Sequence, residues 1–199
     1  MARVLEKNYF LSNTPFQKTF SLYNCEKDAV AERYSSLTEG LSGAIRFFSS
    51  PGRTELVGNH TDHNNGFVLA AAIDMDTVAA VMPINEQKIV VNSVGYPPVE
   101  VNLTDLFVDP SQYGTSDALV KGVAKAFLDR GYKIGGFIAN THSTVFKGAG
   151  VSSSASFELL ISEILNSLYN GKRINETEKA IISQYAENVY FGKPSGLMD

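Results

Sequence analysis

Apolar residues come in short, strand-length runs through the middle of this chain and at helical spacing through its last third. The runs "GFVLAAAI", "TVAAVMPI" and "KIVVNSV" follow one another between residues 66 and 94. A fourth, "VEVNL", alternates apolar and polar residues as a half-buried strand does. Upstream, "AIRFFSSP" reads as a strand ending at Pro51, and downstream "GGFIANTHSTVF" reads as another. Helical spacing appears in "SDALVKGVAKAFLDRGY", with Leu119, Val120, Val123, Phe127 and Leu128 as its apolar positions. Ser116 or Asp117 is its candidate N-cap, and Gly131 stops it. "GAGVSSSASFELLISEILNSLYNG" predicts a glycine-serine turn feeding a long helix. "NETEKAIISQYAENVYFG" predicts a second, capped by Asn175 with Glu178 three residues on. Residues 26–40 predict an earlier helix with Val30, Tyr34 and Leu37 on one face. Strands early and helices late imply an α+β fold, with helices on one face of a mainly antiparallel sheet.

The 199 residues are 44% hydrophobic, enough for one sizeable core or two small ones. A formal net charge of −4, without a basic stripe, points away from nucleic acid. The single cysteine, Cys25, excludes an internal disulfide and a cysteine-rich zinc site. The apolar runs are too short to span a bilayer, and "MARVLEKNYF" lacks the apolar core of a signal peptide. A cytoplasmic protein with no membrane contact and no obligate protein partner is the expectation.

Three stretches carry more polar groups than a core or a simple turn needs. "GRTELVGNHTDHNNG", residues 52–66, places Arg53, Asn59, His60 and Asp62 between two strand-like runs. Arginine can clamp a phosphate or carboxylate bidentately, and the others suit the hydroxyls of a sugar. A polar turn held by side-chain-to-backbone bonds, an Arg53–Glu55 surface pair, or a metal held by His60, Asp62 and His63 are the alternatives. In "KGAGVSSSAS", Gly148 and Gly150 permit a tight turn, and Ser152, Ser153 and Ser154 open a helix. The N–H groups of that helix start lack internal partners and favour an anion such as phosphate. An ordinary serine cap is the simpler alternative, although a cap needs only one serine. In "AENVYFGKPSGLMD", Glu187 and Asp199 could be a magnesium ligand and a general base, or two solvated acids.

Together these stretches resemble the galactokinase family of GHMP small-molecule kinases. The first resembles the family's Gly-Arg-x-Asn-Leu-Ile-Gly-Glu-His-x-Asp-Tyr signature with its trailing Asn-Gly-Gly. The second resembles Pro-x-Gly-x-Gly-Leu-Ser-Ser-Ser-Ala, and the third Ala-Glu-His-x-Phe followed by Gly-x-x-x-Gly-x-Met-Asp. The order and the Glu187-to-Asp199 spacing match. The resemblance implies a GHMP kinase N-terminal domain (ribosomal protein S5 domain 2-like) over residues 1–199, without the family's C-terminal domain.

It further implies ATP-dependent phosphorylation of galactose at the anomeric hydroxyl, with little turnover from residues 1–199 alone. Asp199 would act as the catalytic aspartate with Arg53 beside it. Asn59, His60, Asp62 and Gly196 would bind the sugar. Gly148, Gly150, Ser152, Ser153 and Ser154 would cradle the ATP phosphates, and Ser154 with Glu187 would hold Mg2+. This chain departs from the family at Glu55 (asparagine there), Asn59 (glutamate), His63 (tyrosine), Asn65 (glycine), Phe146 (proline) and Val151 (leucine). A related sugar, or a non-catalytic sugar and ATP sensor on the same fold, are the alternative readings.

Overall fold

A computed structural model describes residues 5–21, 23 and 27–198. The described residues form five strands and six α-helices. β1 is Arg46–Val57, β2 Leu69–Pro83, β3 Lys88–Ser93, β4 Val99–Asn102 and β5 Phe137–Ser143. The helices are α1 Lys7–Ser12, α2 Thr14–Phe20, α3 Lys27–Ser36, α4 Ser116–Asp129, α5 Ser153–Tyr169 and α6 Glu176–Tyr185. The sheet runs in the order β1-β2-β5-β3-β4. All pairings are antiparallel except β3 with β5, which is parallel.

Two apolar runs expected as separate strands form one. Residues 69–83 make a single 15-residue strand, because no glycine or proline interrupts "LAAAIDMDTVAAVM". Its side chains alternate between two cores, as the pleat requires. Ala79 and Val81 enter a core with α4, α5 and α6, through residues such as Val123, Phe127 and Leu160. Val78 and Ala80 enter a second core on the opposite face, with Phe10, Val30, Tyr34, Leu37 and Leu41. The expectation of helices on one face therefore holds for α4–α6 and needs correction for α1 and α3, which cover the other face. An aromatic cluster shared by α1, α2, α3 and β1 is the reason. Phe10, Phe16, Tyr34 and Phe47 pack mostly edge-on with centroids 5.0–6.0 Å apart, a cluster that would be costly to leave in water.

β1 also outruns its expected end. Proline removes one ladder donor, yet Pro51 is tolerated because β1 is an edge strand. Register shifts at 51/53 and 55/57 bend the strand, so the arginine-containing stretch is strand and not loop as far as Val57. In α4 the cap is Thr115, one residue before the expected pair: its hydroxyl accepts from the Ala118 amide at 3.2 Å. Leu128 faces solvent at 44% exposure, one step outside the buried stripe. Asn175 caps α6 as expected, accepting from the Glu178 amide at 2.9 Å. After Tyr185 the helix widens into a π-helical turn, Ala186–Phe191.

A buried ion pair fastens α3 to the sheet. Arg33 donates to Asp76 Oδ1 at 2.6 Å, to His142 Nδ1 at 2.8 Å, and to the Asp76 and His142 carbonyls at 2.8 Å each. Ser49 and Tyr23 donate to the other Asp76 oxygen. The Arg33 side chain is 13% exposed and Asp76 4%. Asp76→Ala would leave the guanidinium buried without its anion, and we expect a loss of about 3 kcal/mol in chemical denaturation. Burial first, and the charge of Arg33 second, hold His142 below its usual 6.5. The native state then binds fewer protons than the unfolded chain just below that pH. Stability is therefore full above about 6.5 and falls as pH drops through the lowered native value. The same denaturation series repeated from pH 8 to 5 should show this slope, and His142→Gln should flatten it.

Candidate active site

The polar stretches converge at one end of the sheet, where the distal part of β1 meets the start of α5 and the segment following α6. Arg53 is the link between them. Its amide donates to the Val151 carbonyl at 3.2 Å. Its guanidinium donates to the Gly150 carbonyl at 2.9 Å and to the Met198 carbonyl at 2.6 Å. Gly52 makes this crossing possible, since a Cβ there would lie 2.8 Å from the Val151 oxygen.

The glycine-serine loop is built for something other than a simple cap. Gly148 and Gly150 adopt φ of 80° and 73° in open space, so conformation and not crowding calls for glycine there. Ser152 is the N-cap residue of α5, but it lies in the left-handed region and its hydroxyl makes no capping bond. A non-glycine residue in that region costs about 1–2 kcal/mol. Of the three serines, Ser154 was expected to work with Glu187, and the structure brings the two into contact. Ser154 Oγ donates to Glu187 Oε1 at 2.8 Å. Ser156, which follows them, anchors the helix start by donating to the Ser50 carbonyl at 2.8 Å and sharing a bond with Thr77. A cavity of about 290 Å³ lies over this loop, lined by Arg53, His60, Gly148, Gly150, residues 152–154 and Lys193. Two basic side chains and a helix start without a side-chain cap are features that favour an anion.

Glu187 is buried, at 2% exposure. The Ser154 hydroxyl and the Lys193 ammonium, at 3.3 Å, meet the same carboxylate oxygen. Two hard oxygen donors in contact, beside an anion cavity, are the donor set magnesium takes when phosphate and water complete its shell. The residues present therefore fit that ion. Below them Glu158 is 1% exposed, with Oε1 buried and unpartnered among the described residues. Burial, and then the charge of Glu187, push its carboxyl well above the usual value, favouring the neutral acid.

The stretch 58–66 forms a tight turn with a short 3₁₀ segment, Asp62–Asn64. Asp62 Oδ2 accepts from the Met198 amide at 3.0 Å. Its Oδ1 is buried and has no partner among the described residues. Gly196 packs directly on this carboxylate: a Cβ there would sit 1.9 Å from Oδ2. His60, Asp62 and His63 line an open cleft with Asn65, Gln184 and Asn188. His60 also lines the phosphate-sized cavity, so the two spaces share that wall. Among the described residues, no group of three or more His, Cys, Asp or Glu could hold a metal. Asn59 stands exposed in the turn at φ 55° and lines neither cavity, so the structure does not bring it to the site with the others. Asp199 lies outside the described residues.

Two features escaped sequence reasoning. Lys193 carries no motif; only the chain's return past Glu187 makes it a site residue. An apolar groove of about 170 Å³ runs from the serine loop across Val94, Tyr96, Pro97, Leu119 and Phe157 to Phe191. Its lining comes from several separate segments, which no local pattern could join.

Comparison with known proteins agrees with this geometry. The model described as the galactokinase galactose-binding signature matches residues 37–83. The GHMP kinases N terminal domain matches residues 118–199. A galactokinase of Clostridium tetani is 37% identical over 158 residues, 79% of this chain and 40% of the relative. One of Fusobacterium nucleatum is 39% identical over 162 residues, 79% of this chain and 41% of the relative. The chain thus spans about 40% of the length of these curated relatives. Among solved structures, Lactococcus lactis galactokinase complexed with galactose superposes with a TM-score of 0.75 at 29% identity, covering 86% of this chain and 44% of that one. Methanococcus jannaschii mevalonate kinase, at 22% identity and a TM-score of 0.64 over 78% of this chain and 50% of that one, shares the fold.

The contact between Gly196 and Asp62 can be tested directly. Gly196→Ala should displace the carboxylate and weaken its bond from the Met198 amide, so that this amide exchanges with solvent about tenfold faster.

Proposed function

We propose that this chain, which belongs to the galactokinase family of GHMP kinases, supplies the sugar- and phosphate-binding wall of an enzyme that moves the γ-phosphoryl group of ATP to the anomeric hydroxyl of galactose. The observation that carries the reading is the shared wall at His60. A polar cleft with a buried acceptor that has no partner among the described residues, Asp62 Oδ1, adjoins a cavity lined by Arg53, Lys193 and an uncapped helix start. A hydroxyl-bearing ligand would give Asp62 the donor it lacks. A triphosphate would meet the amides of residues 148–153 and both cations. The apolar groove opens onto the same serine loop and suits a flat nucleobase whose phosphates reach that loop.

In this reading Asp199 takes the proton from the anomeric hydroxyl as its oxygen attacks phosphorus. Arg53, tied through the carbonyl of the preceding residue, Met198, stabilises both that carboxylate and the charge spread over the moving phosphoryl group. Ser154 and Glu187 would hold Mg2+, which when bound neutralises the ATP phosphates. Lys193 shares the load on Glu187 and on the phosphates. His60, Asp62 and the Gly196 backbone orient the sugar. The chemistry is one of positioning and charge neutralisation. Because the relatives are more than twice as long, residues 1–199 alone are expected to give little turnover. Among the described residues no helix is long and apolar enough to cross a membrane, consistent with the proposed cytoplasmic setting.

The test is ADP release by the intact gene product with Mg–ATP and a panel of galactose, 2-deoxygalactose, N-acetylgalactosamine, arabinose, galacturonate and glucose. Preference for galactose is the expected result. Activity confined to another sugar would keep the mechanism and move the specificity, and sugar or ATP binding without turnover would favour a sensor. Asp199→Asn should lower kcat at least about 100-fold, as loss of a general base does. Glu187→Gln should raise the magnesium concentration needed for half-maximal rate.

A further inference from the structure

Three consecutive residues in the turn after β1 have positive φ: Gly58 at 127°, Asn59 at 55° and His60 at 54°. Glycine takes this conformation freely, while for asparagine and histidine, although they adopt it more often than most residues, it is still uncommon. Two adjacent side-chain-bearing residues do not hold it unless something outside the backbone enforces it. Glu55 meets that need. Its Oε1 accepts from the His60 amide at 2.9 Å, and its Oε2 lies 3.9 Å from His60 Nε2. One carboxylate thus touches both the backbone and the ring of the same histidine. The Glu55 side chain is 18% exposed, so its contacts with His60 are only partly open to water. It sits two residues after Arg53 on an uninterrupted stretch of β1, which puts both side chains on one face of the strand. The ladder then shifts between Glu55 and Val57, and the turn begins. The family motif has asparagine in place of Glu55 and glutamate in place of Asn59. In this chain the acid has moved from the turn to the strand, and the turn has gained a residue that bears positive φ at lower cost.

We infer that Glu55 is a positioning residue that locks the turn at residues 58–60 in its left-handed form and so aims His60 at the wall shared by the cleft and the phosphate-sized cavity. The assignment of those spaces to sugar and phosphate rests on the function proposed above; the grip on the turn does not. In the intact gene product, Glu55→Ala should speed exchange of the His60 amide at least about tenfold, since its hydrogen-bond acceptor is gone. It should raise KM for the sugar by about tenfold while KM for ATP and the melting temperature change little. Glu55→Gln keeps an oxygen that can accept from the His60 amide and should recover most of the slow exchange and most of the sugar KM. An unchanged His60 exchange rate in Glu55→Ala overturns the inference, as does a rise in both KM values together with a lower melting temperature. If the wild-type protein turns over none of the sugars tested, the function proposed above fails. The exchange measurement still decides whether Glu55 holds the turn.

Discussion

The candidate site stands on one guanidinium. Arg53 belongs to β1, bonds the carbonyl of the glycine-serine loop and bonds the carbonyl of Met198, so three segments far apart in sequence share one planar group. Arginine suits this work because its donors diverge in a fixed plane and its charge cannot be lost by deprotonation. The two backbone acceptors fix its direction. Gly52 is the steric condition for the arrangement, since any Cβ would push β1 off the Val151 carbonyl.

The glycine-serine loop is arranged on the same principle of leaving groups available. Ser152 adopts a left-handed conformation and does not cap its helix, which is unfavourable for the isolated loop. Ser156 offsets this by tying the first turn of α5 to the Ser50 carbonyl and to Thr77. The helix start is thereby held rigid while its leading amides remain open. A capping serine would have stabilised the helix and used an amide that the proposed function assigns to phosphate.

Much of this was legible in the sequence because local patterns carry it. The helical stripe of α4, the Asn175 cap of α6 and the strand character of "KIVVNSV" and "VEVNL" follow from side-chain periodicity and turn chemistry, which act within a few residues. The polar stretches named Arg53, His60, Asp62, Ser154 and Glu187, and the fold brings them together. What escaped depends on distant contacts. The split of β2 between two cores is invisible in an apolar run that reads the same on both faces. The docking of α3 depends on Arg33 meeting Asp76 and His142, 43 and 109 residues away. Lys193 and the apolar groove are assembled only by the packing of α4, α5 and the π-helical turn. Asn59 illustrates the converse: a residue picked by motif position stands apart from both cavities, because the backbone turns left-handed at that point.

The division between the two faces of the sheet bears on how stability and function relate here. The Arg33–Asp76 pair and the aromatic cluster of α1 and α3 hold one face, and the buried side chains of α4, α5 and α6 hold the other. The site lies at the end of the sheet, where β1 bends at two register shifts and where the buried acceptors Asp62 Oδ1 and Glu158 Oε1 lack partners among the described residues. Unsatisfied buried oxygens and left-handed serine, asparagine and histidine are all unfavourable for folding. The ones named here lie where a ligand could offset them, and the two cores on either side supply the margin that lets the chain keep them.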